Sequence, residues 1–248
     1  LSDGGKYGQA AIKAASFIRD EMYDASHQTL YRIHRGKRSD IKGFLDDHAF
    51  MIQGLLDLYE TTFDIQWVEW AAKLQERQDA LFLDTEHGGY FGTEANTSDI
   101  LLRMKDDYDG AEPSANSIAV MNLLRLNHML GDNKALEKAE SALGHFSVKL
   151  NNQPSGMPQM LVALDHSLHP TRQIVFAAEP SSSELSKMKR QLHHRFIPGK
   201  VVLLADGGNG QAFLAKSLEF IQSVSRIDNK ATAYVCEDYV CQRPTNDL

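Results

Sequence analysis

Apolar positions recur at helical spacing through the first two thirds of the chain. In residues 9–22 the stripe is Ala11, Ile12, Ala15, Ile18 and Met22, and in 49–60 it is Phe50, Ile52, Leu55, Leu56 and Tyr59. Residues 67–81 carry Trp67, Trp70, Ala71, Leu74 and Leu81. Residues 115–130 carry Ile118, Val120, Met121, Leu124 and Leu126, and residues 134–148 carry Leu136, Ala139, Leu143 and Phe146. A 3.6-residue period with one apolar face predicts five amphipathic helices, and the aromatic members of their stripes are packing residues first. Past about residue 165 the period is lost. The runs Gln173-Ile174-Val175-Phe176-Ala177-Ala178, Val201-Val202-Leu203-Leu204-Ala205 and Ala231-Thr232-Ala233-Tyr234-Val235-Cys236 predict buried strands, with helices over 181–195 and 211–224 between them. Strands alternating with helices predict a short parallel sheet with right-handed crossovers, packed on the helical part.

The helical part repeats itself. Asp24 and Asp84 stand 60 residues apart, as do Tyr31 and Phe91, and Asp46-Asp47-His48 and Asp106-Asp107-Tyr108. The offset then becomes 68, relating Leu55-Leu56 to Leu123-Leu124 and Asp64 to Asp132. The extra eight residues fall in Asp109-Gly110-Ala111-Glu112-Pro113-Ser114-Ala115-Asn116. Each unit is helix, long loop, Asp pair, helix. The loops hold β-like stretches: Leu30-Tyr31-Arg32-Ile33-His34, Gly89-Tyr90-Phe91 and Ile100-Leu101-Leu102. Helical hairpins at a fixed period stack as solenoids or close as toroids. The expected fold is mainly α: part of an (α/α)6 toroid over residues 1–165, then a small β-α-β-α-β extension over 166–248.

Composition narrows the partners. Lys plus Arg number 26 against 33 Asp plus Glu, a net charge of -7. With no basic stripe, neither nucleic acid nor an anionic membrane is an expected partner. No run of about 18 apolar residues marks a membrane span. The opening Leu1-Ser2-Asp3-Gly4-Gly5 is polar, unlike a signal peptide, and lacks an initiator Met, so a piece of a longer protein is expected. Cys236 and Cys241 form C-x4-C, not C-x-x-C. They read first as ordinary thiols, with a local disulfide as the alternative. A zinc site would need companion ligands, and there is no other Cys. No metal and no cofactor are expected.

The Asp pairs are the leading chemistry. Repeated positions fall on one rim of a hairpin stack, so Asp46, Asp47, Asp106 and Asp107 are the candidate catalytic carboxylates. Crowded carboxylates raise one another's pKa, which suits acid/base work on a sugar or cation binding. The competing reading is structural: an Asp at a helix start accepts backbone N–H bonds and complements the dipole. The inserted Asp109, Glu112 and Asn116 are hydroxyl-bonding candidates, against a helix simply capped by Ser114 after Pro113. Arg103 and Lys105 stand close enough in sequence to neutralise the acids. Tyr31, Tyr90, Phe91 and Tyr108 share these loops and suit stacking on a sugar face or anchoring of the loops. His48 follows the first pair, but its repeat partner is Tyr108. The ligand-binding candidates are therefore Tyr108, Asp109, Glu112, Asn116, His48 and Tyr90. Asp206-Gly207-Gly208-Asn209-Gly210 lies between a strand and a helix, where phosphates bind. Phe213 stands where the third Gly of a dinucleotide loop belongs, so a nucleotide is not expected.

The run Lys105-Asp106-Asp107-Tyr108-Asp109-Gly110-Ala111-Glu112-Pro113-Ser114-Ala115-Asn116-Ser117 resembles a segment of the spermatogenesis-associated protein 20 family. Asp46-Asp47-His48-Ala49-Phe50, Leu55-Leu56-Asp57-Leu58-Tyr59-Glu60 and Ala231-Thr232-Ala233-Tyr234-Val235-Cys236 resemble it too, so the likeness spans nearly the whole chain. The resemblance implies an N-terminal thioredoxin-like domain and a first half of the toroid outside this sequence. It also implies a remainder similar to N-acylglucosamine 2-epimerase and the six-hairpin glycosidases, and a link of animal members to male fertility and a redox role. The epimerase's paired catalytic histidines find no match here. The expected partners are a sugar-like small molecule and the protein's own thioredoxin-like domain. The alternatives are a non-enzymatic scaffold, or redox work by Cys236 and Cys241 themselves.

Overall fold

All five predicted helices form: α1 (Gly4–Glu21), α2 (Leu45–Thr62), α3 (Gln66–Phe82), α4 (Ala115–Leu130) and α5 (Asn133–Asn152). The structure is a computed structural model that describes residues 4–95, 100–237 and 240–247. Of the polar opening of the chain, Leu1, Ser2 and Asp3 lie outside the described residues. The hairpins begin and end by local chemistry. Thr61 and Thr62 turn their hydroxyls back to the Asp57 and Leu58 carbonyls as α2 ends, and Phe63 then takes a left-handed φ of 59°. Asp64 accepts the Gln66 N–H ahead of α3, and its repeat partner Asp132 accepts the Lys134 N–H ahead of α5. Side chains that accept these orphan donors are what let short helices start. Gly131 closes α4 at φ 65°, and a Cβ there would stand 3.0 Å from the Ser217 carbonyl oxygen.

Two elements differ from expectation in the helical half. α6 (Pro158–Leu168) is an extra helix that the apolar period does not announce, because it starts straight after the turn-rich Gln153-Pro154-Ser155-Gly156. The first loop holds a small antiparallel hairpin of β1 (Tyr23–Asp24) and β2 (Thr29–Leu30), whereas Ile100-Leu101-Leu102 is a bend and not a strand.

The last third is a four-stranded mixed sheet in the order β4-β3-β5-β6. It comprises β3 (Arg172–Ala177), β4 (Lys200–Ala205), β5 (Thr232–Glu237) and β6 (Val240–Cys241). β3 and β4 run parallel across α7 (Ser183–His193), as predicted, but β5 runs antiparallel to β3, with Arg172 opposite Glu237. The difference lies in the connection after β4. The predicted helix over 211–224 is only α8 (Asn209–Leu214), followed by a turn and a 3-10 segment (Glu219–Ser223). Gln211 folds that segment back by donating its side-chain amide to the Ile221 and Val224 carbonyls. Six helical residues reach about 9 Å, whereas a six-residue strand spans about 20 Å. The connection stays at that end of the sheet, and β5 begins where β4 stopped. Cys236 and Cys241 are register partners across β5 and β6 and form a disulfide, which corrects the reading of two ordinary thiols.

One core runs through both halves. Ile52, Leu56, Tyr59, Trp67 and Leu74 of α2 and α3 are buried in the same cluster as Val175 and Phe176 of β3 and Val202 and Leu204 of β4. A second cluster joins Leu45, Phe82, Tyr90, Ile118, Leu123, Phe146 and Met160 under the rim loops. Each such large side chain contributes about 1.5–3 kcal/mol by leaving water. The seam is also polar: the Leu204 N–H donates to the Tyr59 hydroxyl (3.2 Å), and the Val202 N–H donates to Glu60 (3.0 Å). Burial raises the Glu60 carboxyl pKa, and Arg125 at 3.2 Å pulls against it.

Candidate ligand cleft at the helix rim

The two rim loops are built alike. Asp24 accepts the Ser26 and His27 N–H groups at 2.9 and 3.2 Å, and Asp84 accepts the Glu86 and His87 N–H groups at 3.0 and 3.1 Å. An Asp that bonds the backbone two and three residues on makes a preformed turn. The Tyr31 N–H then donates to the Met22 carbonyl and the Phe91 N–H to the Phe82 carbonyl. A guanidinium covers each ring: Arg38 stands 4.0 Å from the Tyr31 centroid and Arg103 4.1 Å from that of Phe91. Asp84 also pairs with Lys105 at 2.8 Å. Burial pushes the Asp84 carboxyl up, but Lys105 and the two N–H donors outweigh it and hold the pKa at about 2.

The first Asp pair occupies the first turn of α2. Asp47 accepts the Phe44 N–H at 2.8 Å, and Arg32 reaches both acids, at 2.9 Å from Asp46 and 2.7 Å from Asp47. Burial raises the Asp47 carboxyl pKa, while the hydrogen bonds Arg32 donates to Asp46, then both nearby charges, hold the guanidinium charged. The short contact to Arg32 together with the Phe44 N–H decides for an ionised Asp47 at neutral pH. His48 is 1% exposed, packs on Phe82, and has Nδ1 2.9 Å from the Phe44 carbonyl. Its burial lowers its pKa, so the neutral ring donates through Nδ1, and Nε2 finds no partner among the described residues.

The second pair is not at a helix start. The insertion moves it onto extended chain ahead of α4, whose N-cap is Ser114. Asp107 pairs with Lys149 at 2.6 Å. Asp106 is exposed and its carboxylate has no partner among the described residues. Neither Arg103, which donates to the Thr93 and Leu81 carbonyls, nor Lys105 neutralises this pair.

The other candidates are spread out. Asp109 is 7% exposed and accepts the Ser114 N–H (2.7 Å), the Gln159 N–H (2.8 Å) and the Met160 N–H (3.2 Å), so one carboxylate caps both α4 and α6. Asn116 is fully buried: its amide donates to the Tyr90 and Asp106 carbonyls, and its oxygen accepts the Tyr90 N–H. The Tyr90 hydroxyl is buried against Asp79 at 2.7 Å. Tyr108 is 62% exposed and lies over Gly156, and Glu112 is exposed beyond it.

Asp46, Asp106 and Asp107 do meet. All three line one open cleft of about 550 Å³ between the two loops, with Phe44, Ile100, Leu102 and Met104 as its apolar wall. Sequence reasoning took Ile100-Leu101-Leu102 for a β-like stretch and missed that wall; three apolar residues in a polar loop ahead of the second Asp pair were the available signal. Elsewhere the Asp206 carboxylate accepts the N–H groups of Gly208, Gly210 and Gln211 and so fills its own glycine loop. No group of three or more His, Cys, Asp and Glu suited to a metal ion occurs among the described residues, and none of their helices is long and apolar enough to cross a membrane.

Comparison with known proteins adds identity to this geometry. The chain is 38% identical over 246 residues to spermatogenesis-associated protein 20 of rat, of mouse and of human. This chain is a relative of spermatogenesis-associated protein 20. The alignment covers 96% of the chain but 31% of each mammalian protein, so the chain spans about a third of the length of the curated relatives it matches. An uncharacterized protein of Caenorhabditis elegans is 32% identical over 98% of the chain. No family model matches. The spermatogenesis-associated protein 20 likeness runs through both rim loops, α4 and the sheet alike.

Proposed function

We propose that this chain is the C-terminal part of an α/α toroid, residues 1–165, with the sheet of residues 166–248 as its extension, and that its rim cleft binds a carbohydrate-like polyhydroxyl ligand. The observation that supports this is convergence: acids 60 residues apart in sequence, Asp46 and Asp106 with Asp107, line one cleft with an apolar wall. Asp46 and Asp107 are ion-paired and Asp106 is open. Carboxylate oxygens accept hydrogen bonds from hydroxyls, and two of these three acids are already held by cations, so the arrangement suits recognition better than glycosidic acid catalysis. Thermal unfolding against a panel of sugars and amino sugars tests it. A sugar at about 100 Kd raises the wild-type Tm by several degrees and leaves Asp106→Asn unmoved. If no sugar moves the wild type, the reading fails.

A second reading has its own observation. Leu101, Leu102 and Met104 are 106%, 72% and 66% exposed beside the same cleft, and exposed apolar patches mark protein contacts. In that reading the chain is a non-enzymatic scaffold in a larger protein, presenting this edge to a thioredoxin-like domain. Leu102→Glu then weakens capture of that domain while sugar-panel melting stays flat. We assign any redox or fertility role to the whole protein, of whose curated relatives this chain spans about a third.

A further inference from the structure

Far from the rim, a cavity of about 310 Å³ lies between the end of α7 and the sheet. Its floor is apolar. Ile174 of β3 and Val235 of β5 are register partners and share a face, and Leu192 of α7 and Ile197 complete it. Arg172, two residues before Ile174, projects from that same face, and Arg195 follows α7 at the opposite wall. Four arginines, Arg19, Arg32, Arg125 and Arg226, each hold a carboxylate. Among the described residues Arg172 and Arg195 hold none. Both are exposed. Lys200 stands beside Arg172 in the β3/β4 register, and among the described residues its ammonium bonds only the Ile197 carbonyl. Glu237 faces Arg172 across β5 without an ion pair.

Two arginines without carboxylate partners thus flank one apolar pocket in a chain of net charge -7. A guanidinium fork matches a carboxylate or phosphate group, and the small pocket behind it accepts only apolar matter. We propose that this cavity is a binding site for a small amphipathic anion: one carboxylate or phosphate monoester, held by Arg172 and Arg195, on an unbranched apolar body lying over Ile174, Leu192 and Val235.

Titration calorimetry on the full chain tests it with sodium octanoate and octyl phosphate, against 1-octanol and octyltrimethylammonium. One anion binds per chain, about tenfold or more tighter than the alcohol, and the cation does not bind. Preference between octanoate and octyl phosphate identifies the head group. R172Q/R195Q, altered only at exposed positions, brings the anion down to the affinity of the alcohol. Val235→Phe fills the cavity with both arginines kept and removes binding of anion and alcohol alike. No heat from either anion, equal binding of alcohol and anion, or an anion affinity unchanged in R172Q/R195Q overturns the proposal.

Discussion

The two rim loops start from one plan and end in different states. In the first, an Asp turn, an Arg-covered ring and an Asp pair run directly into α2, and Arg32 locks both acids against the helix start. In the second, the same turn and the same covered ring are followed by eight more residues, which give the helix a new cap in Ser114 and a new anchor in Asp109. The capping duty that Asp47 performs in one loop passes to Asp109 in the other. Asp107, the counterpart of Asp47, pairs with Lys149 instead, and Asp106, the counterpart of Asp46, stands open on the cleft. An insertion in a repeat can thus free an acid from helix capping by supplying a replacement for its old task.

Breaking that replacement has the largest expected effect. Asp109→Ala strips three N–H groups, two of them buried, at two helix starts and lowers stability by about 3 kcal/mol, read as a lower urea midpoint at unchanged m-value. Asn116→Ala is next, at about 2 kcal/mol, because two carbonyls and one N–H of the loop lose their buried partner. The smallest effect is a change of pH profile. The folded Asp84 pKa of about 2 lies below the value of 3.8 expected without its partners, so its contribution is complete above pH 3.8 and fades as pH falls toward 2. Acid titrations of stability are therefore flatter in Asp84→Asn than in the wild type across that window, and Lys105→Met flattens them part of the way.

Much of this was legible in the residues. The five apolar stripes became α1 to α5, and the repeat of Asp24 and Asp84 became the same turn twice. Periodicity fails where a helix is short and opens with proline, as at Pro158, and where side-chain bonds such as those of Gln211 cut a helix off. Strand direction at β5 was hidden because it goes with how the connection after β4 folds back on itself, not with strand composition. At the cleft, residue type showed that acids would gather. It did not show which of them Arg32 and Lys149 would hold, because those partners come from folding at a distance.

The hydroxyl of Tyr59 and the carboxylate of Glu60 take up N–H groups of β4, an edge strand of the mixed sheet. An unpaired edge is a template for strands of other chains. Here that margin is sealed by side chains of a neighbouring helix, so recruitment of a foreign strand has a direction. Growth by β-augmentation is barred at β4 and left to the opposite margin, where the two-residue β6 is clamped to β5 by Cys236 and Cys241. A chain with one blunt margin and one short, stapled margin resists end-to-end polymerisation, and this protection needs no proline or charge on the strands themselves.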